Sequence, residues 1–301
     1  MSSEANAVVR LGLIGAGRWG KNFVRTIRGL DGVILSALCS RNPDSRNLVD
    51  SNCRILSDWH DLLGSRLCDG VIIATPPDTH AEILGAMIRV RMPSMVEKPL
   101  TLDLQQALDL QQLLRQFPTP VLVDHIYLFH PAYLEMKRLS SQLGPIRSIQ
   151  SEGGNQGPVR PNYTALWDYG PHDLAMCLDL MKSAPQSVAC RASETNRGGT
   201  YELDVSFPGH VRAAIKVGNQ ASAKVRTFTV HHDEHTLVFD DLSPQKLRLD
   251  GAPTSVSEKL PLAEALETLA NGIREGESEH FGLDLAVEVV RTLDAAQQSI
   301  H

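Results

Sequence analysis

The sequence predicts an α/β protein. Residues 1–124 should form a doubly wound parallel sheet, and residues 125–301 an α+β domain with a large, mostly antiparallel sheet. Three observations carry this. Strand-like and helix-like segments alternate up to about Asp124. Among them "DGVIIATPP" is apolar without alternation, as in a strand covered on both faces of a parallel sheet. From Ser187 to Asp250, strand-like segments instead succeed one another through short polar turns, which favours antiparallel pairing. A chain of 301 residues suits two domains.

The elements follow in order. "VVRLGLIGA" is a β-rich run, and "RWGKNFVRTIRGL" has helical spacing at Phe23, Ile27 and Leu30. "VILSALCS" and "DGVIIATPP" are strands. "THAEILGAMIRV" reads as a helix with Thr79 at its N-cap and Glu82 completing a capping box. "PSMVEKPL" is a short strand running into Pro99. "TLDLQQALDLQQLLRQF" is an amphipathic helix through Leu104, Ala107, Leu110, Leu113 and Leu114. "PVLVDHIYLF" reads as one more strand. "HPAYLEMKRLSSQL" is a helix closed by Gly144-Pro145, and "IRSIQSEGG" is a strand. A polar loop, "GGNQGPVRPNY", leads to "WDYGPHDL", where Gly170 and Pro171 place a helix start near Asp168. Six strand-like segments come next, and "PLAEALETLANGI" and "LDLAVEVVRTLDAAQQ" close the chain as helices.

Composition excludes several classes. The formal charge of −6 argues against nucleic acid. No apolar run approaches the ~18 residues of a membrane span, and "MSSEANAVVR" does not read as a signal peptide. The five cysteines are irregularly spaced with no CxxC, so free buried thiols in a reducing, cytoplasmic compartment are expected. His231, His232 and His235 flank Asp233-Glu234, which reads as a hairpin turn rather than a metal site.

Gly15-Ala16-Gly17-Arg18-Trp19-Gly20 is a G-x-G-x-x-G loop between a strand and a helix, the context in which it cradles a dinucleotide pyrophosphate. This is a Rossmann arrangement. Gly15 would allow the tight turn, Gly17 backbone approach to the phosphates, and Gly20 close helix–strand packing. About twenty residues on, where a carboxylate would select a ribose 2′-hydroxyl, stand Ser40 and Arg41. A guanidinium there favours NADP(H), with NAD(H) usable if Arg41 instead faces solvent or stacks on adenine. Arg18, Trp19, Thr75, Pro76, His80 and Glu97 complete the expected cofactor surroundings; Trp19 either covers the cofactor or packs.

Lys98 in "EKP" ends a strand at the carboxyl edge of the sheet, where such folds bind ligands. Its charge could steady a hydroxyl or ketone oxygen, or it could be half of a surface ion pair with Glu97. Asp168 and His172 are four apart, a helical-face spacing. Histidine suits proton transfer near neutral pH, and the aspartate could orient it or simply cap the helix. Arg160, Asn162 and Tyr163, in the preceding polar loop, are either substrate contacts or solvated residues.

"GLIGAGRWG", "ATPPDTHAEI", "VEKPLT" and "WDYGPHDL", in this order and at these separations, resemble the Gfo/Idh/MocA oxidoreductases over nearly the whole chain. The resemblance implies a substrate cleft between a nicotinamide domain and a domain whose open sheet forms a dimer or tetramer interface. It implies catalytic roles for Lys98, Asp168 and His172. The expected reaction is hydride transfer between NAD(P) and a secondary alcohol or ketone of a sugar. "DHIYLFHP" and "WDYGPHD" are similar to members that act on nucleotide-sugars. A free-polyol dehydrogenase and a non-catalytic sugar or dinucleotide sensor remain the alternatives.

Overall fold

A computed structural model describes residues 7–195, 198–276 and 281–300. The chain divides into two compact units. One comprises Met1–Asp124 with Pro261–Val287, and the other His125–Leu260 with Glu288–His301. The chain thus passes to the second unit after Asp124, and residues 261–287 return to the first.

The first unit is a six-stranded parallel sheet of β1 (Val9–Ile14), β2 (Val33–Cys39), β3 (Arg54–Leu56), β4 (Gly70–Ile73), β5 (Ser94–Glu97) and β6 (Val121–Asp124). Its order is β3-β2-β1-β4-β5-β6. Strand order therefore reverses between β1 and β4, and such a switch point opens a crevice at the carboxyl ends of the strands. Residues Val71, Ile72 and Ile73 of β4 are fully buried, as their unbroken apolar run predicts. The helices of this unit are α1 (Arg18–Ile27), α2 (His80–Arg89) and α3 (Leu104–Gln116). The later helix α6 (Pro261–Glu275) packs on α1 and β1. Its Arg274 donates to the carbonyls of Ala7 (3.1 Å) and Gly32 (2.8 Å).

Two local expectations fail here. Thr79 does not cap α2 through its side chain. Its hydroxyl instead donates to the Pro76 carbonyl at 2.8 Å and meets the Thr75 hydroxyl at 2.7 Å, so the capping box does not form. The 3-10 turn Pro77–Thr79 runs straight into α2, so Thr79 has helical backbone (φ −102°, ψ −10°) rather than the extended backbone that lets a capping oxygen accept from the helix N–H groups. The run "PVLVDHIYLF" is also not one strand: β6 ends at Asp124, and Ile126–Phe129 form a 3-10 turn.

The second unit is an eight-stranded sheet in the order β14-β13-β12-β11-β7-β10-β9-β8. The strands are β7 (Ser148–Gln156), β8 (Ser187–Thr195), β9 (Gly198–Phe207), β10 (Val211–Gly218), β11 (Gln220–His231), β12 (Thr236–Asp240), β13 (Leu247–Leu249) and β14 (Ala252–Thr254). Every pairing is antiparallel except that of β7 with β10. Period-two alternation sorts the faces. Leu203, Val205, Ile215, Val217, Phe228 and Val230 point inward and are buried, whereas Glu202, Asp204, Arg212 and Lys216 are exposed.

Helix α5 (Ala165–Met181) packs against β7, β9 and β10. It buries Leu166, Leu174, Met176 and Cys177 completely, each large apolar side chain contributing about 1.5–3 kcal/mol. The remaining helices are α4 (Pro131–Ser140) and α7 (Asp284–Gln298). The five cysteines are free and buried. Among the described residues no helix is long and apolar enough to cross a membrane.

Candidate active site

The glycine loop has the geometry its spacing demands. Gly15 lies at φ +102°, and a Cβ there would stand 2.6 Å from the Ala74 carbonyl oxygen. A Cβ on Gly20 would run into the Gly15 carbonyl oxygen, so α1 rests directly on the loop. Gly17 differs: nothing lies within 4 Å of its would-be Cβ, which leaves room for an approaching group. Gly17 is also the N-cap of α1 and provides no side-chain cap, so the first N–H groups of the helix suit an anion. These residues fit a dinucleotide pyrophosphate. Arg18 and Trp19 are exposed beside the loop.

At the end of β2, the Ser40 hydroxyl is engaged within its own turn, 2.8 Å from Ser45 Oγ and accepting from the Asn42 N–H at 3.2 Å. Arg41 is exposed next to it. His80 is fully buried. Its Nδ1 lies 2.9 Å from the Pro99 carbonyl and its Nε2 3.0 Å from the Thr75 carbonyl. Burial lowers its pKa, and a neutral ring can donate to only one of those oxygens. His80 therefore lies between the loop after β4, with Thr75 and Pro76, and the turn after β5, which carries Lys98, and donates to one of the two.

Glu97 ends β5 and is buried; its register partner is Asp124 at the end of β6. Side chains paired in register share a face of the sheet. Lys98 follows, half-buried, with a cis bond to Pro99. Burial pushes the Asp124 carboxyl up to about 7, opposed by the charge of Lys98. Sequence reasoning missed Asp124. A carboxylate ending the apolar run "VLVD" beside "EKP" was the available signal.

In the second unit, α5 begins earlier than Gly170 and Pro171 suggest. Its N-cap is Thr164, and Pro171 lies inside the helix. The Trp167 and Asp168 N–H groups both donate to the Thr164 carbonyl, so a turn is already closed before the proline. Asp168 is therefore not the N-cap; it sits in the first turn, with His172 one turn on along the same face. Arg160 Nε donates to Asp168 Oδ2 at 2.9 Å. Arg160, Asn162, Tyr163 and Asp168 all line one cavity of about 370 Å³, together with Tyr201 and Asn219. Its carboxylates are engaged locally, Asp168 by Arg160 and Glu194 by the Tyr201 hydroxyl.

Behind His172 stand three side chains that sequence reasoning did not single out: Tyr127, Asp173 and Arg226. The one available signal was the period of β11, which puts Arg226 on the inward face with Phe228 and Val230 but says nothing of its partners. Near the three histidines, His231 Nδ1 lies 3.2 Å from Thr236 Oγ1, His232 bonds Ser140 and the Gly144 carbonyl, and His235 bonds Asp250. Among the described residues no group of three or more histidine, cysteine or carboxylate side chains could hold a metal.

Residues 9–125 match the model of the Gfo/Idh/MocA family, described as an oxidoreductase family with an NAD-binding Rossmann fold. A provisionally assigned oxidoreductase from Magnetospirillum magnetotacticum MS-1 has a crystal structure 40% identical to this chain, with a TM-score of 0.90. The match covers 96% of this chain and 100% of that one. The chain belongs to the Gfo/Idh/MocA oxidoreductase family. Another relative is inositol 2-dehydrogenase 2 of Saccharopolyspora erythraea, 27% identical over 65% of this chain but only 60% of its own length. UDP-N-acetylglucosamine 3-dehydrogenase from Acidithiobacillus ferrooxidans is similar in fold, with a TM-score of 0.84 at 19% identity over 97% of both chains.

Proposed function

We propose that this Gfo/Idh/MocA protein is a dehydrogenase or reductase of a sugar or polyol, acting at a secondary alcohol or ketone and preferring NADP(H) to NAD(H). The observation that carries the reading is the face of α5. Asp168 and His172 lie one turn apart there, and Asp168 borders a polar cavity in which the described carboxylates are already paired. A cavity of that kind suits a neutral, polyhydroxylated ligand, because a hydroxyl can donate to a paired carboxylate without adding charge.

Nicotinamide, when bound, accepts or supplies the hydride. Gly15, Gly17 and the start of α1 would hold the pyrophosphate, and Arg41 would meet a 2′-phosphate. In oxidation His172 takes the hydroxyl proton as the carbon loses hydride, and the C–O single bond becomes a carbonyl. In reduction the same imidazole returns the proton. Lys98 stabilises the negative charge that develops on the oxygen, and Asp168, held by Arg160, orients a substrate hydroxyl or the imidazole.

The test is fluorescence titration with NADPH and NADH, followed by a screen of myo-inositol, aldoses and UDP-N-acetylglucosamine at the nicotinamide absorbance. NADPH should bind more tightly than NADH, and at least one alcohol should be turned over. Binding of neither nucleotide would sink the reading.

A further inference from the structure

A buried polar group that the reaction above does not use lies behind His172. Asp173, the next residue on α5, is fully buried, and Arg226 on β11 is 4% exposed. Arg226 Nη1 donates to Asp173 Oδ1 at 2.6 Å, and the Ser151 hydroxyl donates to the same oxygen. Gly153 makes this possible, since a Cβ there would come within 2.5 Å of Arg226 Nη1 and 3.0 Å of Asp173 Oδ2.

The guanidinium continues to Tyr127. Its carbon lies 4.2 Å from the Tyr127 ring centroid, a cation–π contact in a dry setting. Phe239 meets the same ring edge-on at 6.1 Å, and His130 stacks on it at 6.4 Å. Tyr127 is thus held by Arg226, Phe239 and His130. What it offers to α5 is a T-shaped contact with the His172 imidazole, 5.2 Å between centroids and 88° between planes. Such a contact favours one ring orientation over others.

A buried ion pair is a poor source of stability. Its desolvation cost consumes most of the attraction, and apolar residues of similar volume often do as well. An arginine and an aspartate in the core, with a glycine cut to fit them, therefore call for a use other than stability. We infer that Tyr127, clamped by Arg226 and Asp173, is a positioning residue that fixes the plane of the His172 imidazole. This rests on His172 being the acid/base group. The device faces His172 with a phenol and a neutral ion pair, so it sets orientation without placing net charge behind the ring. Misplacing a reacting group by about 1 Å can cost a hundredfold in rate, which makes such a clamp worth building.

The experiment uses the full chain with labelled histidines, and His172→Gln assigns the His172 resonances. Tyr127→Phe keeps the ring and should leave those resonances and kcat close to wild type. Tyr127→Leu should move or broaden them and lower kcat at least about tenfold, with KM changed less than about twofold. A double variant, Arg226→Met with Asp173→Leu, replaces the ion pair with apolar bulk. It should fold with a similar thermal midpoint yet show the same displaced resonances. Turnover is read with myo-inositol, NADP+ and NAD+, or with the alcohol found in the screen above.

Unmoved His172 resonances in Tyr127→Leu overturn the inference whatever the turnover. So does a change confined to KM, which would make Tyr127 a substrate contact, and so do moved resonances with unchanged kcat. Full turnover by His172→Gln would instead remove the acid/base role, and is thereby distinguished from a failure of the clamp.

Discussion

Two buried aspartates mark two ways of handling charge in this molecule. Asp124 ends a strand of the parallel sheet, 2% exposed, with one carboxylate oxygen lacking a hydrogen-bond partner among the described residues. Burial and the opposing pull of Lys98 leave its pKa near 7. Asp173, on α5 of the second unit, is just as buried and likewise has one oxygen, Oδ2, without a hydrogen-bond partner among the described residues, but its other oxygen receives both Arg226 and Ser151. The same contrast holds more widely. The carboxyl edge of the parallel sheet, which ends in Asp124 on β6, keeps an uncapped helix start at Gly17 after β1 and an exposed Arg41 after β2, while the region around α5 pairs Arg160 with Asp168 and Arg226 with Asp173. Open charge and open donors fit a region that takes a charged nucleotide. Internally paired charge fits one that holds an acid/base group in place and meets a neutral sugar. The comparison teaches that burial alone says little about a carboxylate; what its oxygens are paired with decides its use.

Neutralising each aspartate should give opposite results. Asp173→Asn leaves Arg226 buried without a counter-charge and should destabilise by about 3–5 kcal/mol. Asp124→Asn should stabilise, and only at higher pH. The unfolded carboxyl loses its proton near its ordinary value of 3.8 and the folded one near 7. Between those values the folded state holds more protons, so wild-type stability falls as pH rises through that window. The advantage of the Asp124→Asn variant over wild type should be absent near pH 4 and largest at pH 8, at most about 4 kcal/mol. Urea denaturation at both pH values measures it. A pH-independent difference between wild type and Asp124→Asn would break the contrast.

The architecture was legible in the sequence because it rests on repeated signals. Alternation of strands and helices, the unbroken apolar run of β4 and the period-two pattern of β9 and β10 each predict their elements. The glycine loop was legible because steric demands at Gly15 and Gly20 are local. The start of α5 was not. Pro171 is tolerated six residues into the helix, and the real start depends on the Thr164 carbonyl rather than on a capping side chain. The partners of His172 were invisible for another reason. Tyr127, Asp173 and Arg226 lie on a turn, a helix and a distant strand, and no spacing rule joins them. Thr79 shows the converse failure, where a matching motif is overruled by the 3-10 turn that precedes the helix and gives Thr79 helical backbone.

The glycine loop separates folding from binding within the open region. Gly15→Ala meets both a positive φ and the Ala74 carbonyl, so it should cost about 2–3 kcal/mol of stability and weaken NADPH binding by about a hundredfold. Gly17→Ala meets nothing, so the thermal midpoint should hold while affinity falls about tenfold, because the new methyl stands where the phosphates approach. Equal loss of stability in the two variants would show that the space at Gly17 is not reserved for a ligand.

The smallest expected effect lies at the exposed edge of the paired region. Arg160 is 38% exposed, so its bond to Asp168 should contribute less than about 1 kcal/mol to stability. Arg160→Ala frees Asp168 to swing without unfolding the loop. kcat/KM for a neutral sugar should fall by about threefold to tenfold, well short of the loss expected for His172→Ala. Asp168→Asn, which keeps the shape but loses the charge pairing, should give a loss of similar size, and the double variant little more than either, since both remove one interaction. If Arg160 instead served an anionic substrate, Arg160→Ala would raise KM alone and the loss would shrink as salt is added. A kcat effect insensitive to salt would keep Arg160 as the group that steadies Asp168. It would also keep charge pairing, rather than charge attraction, as the rule on this face of α5.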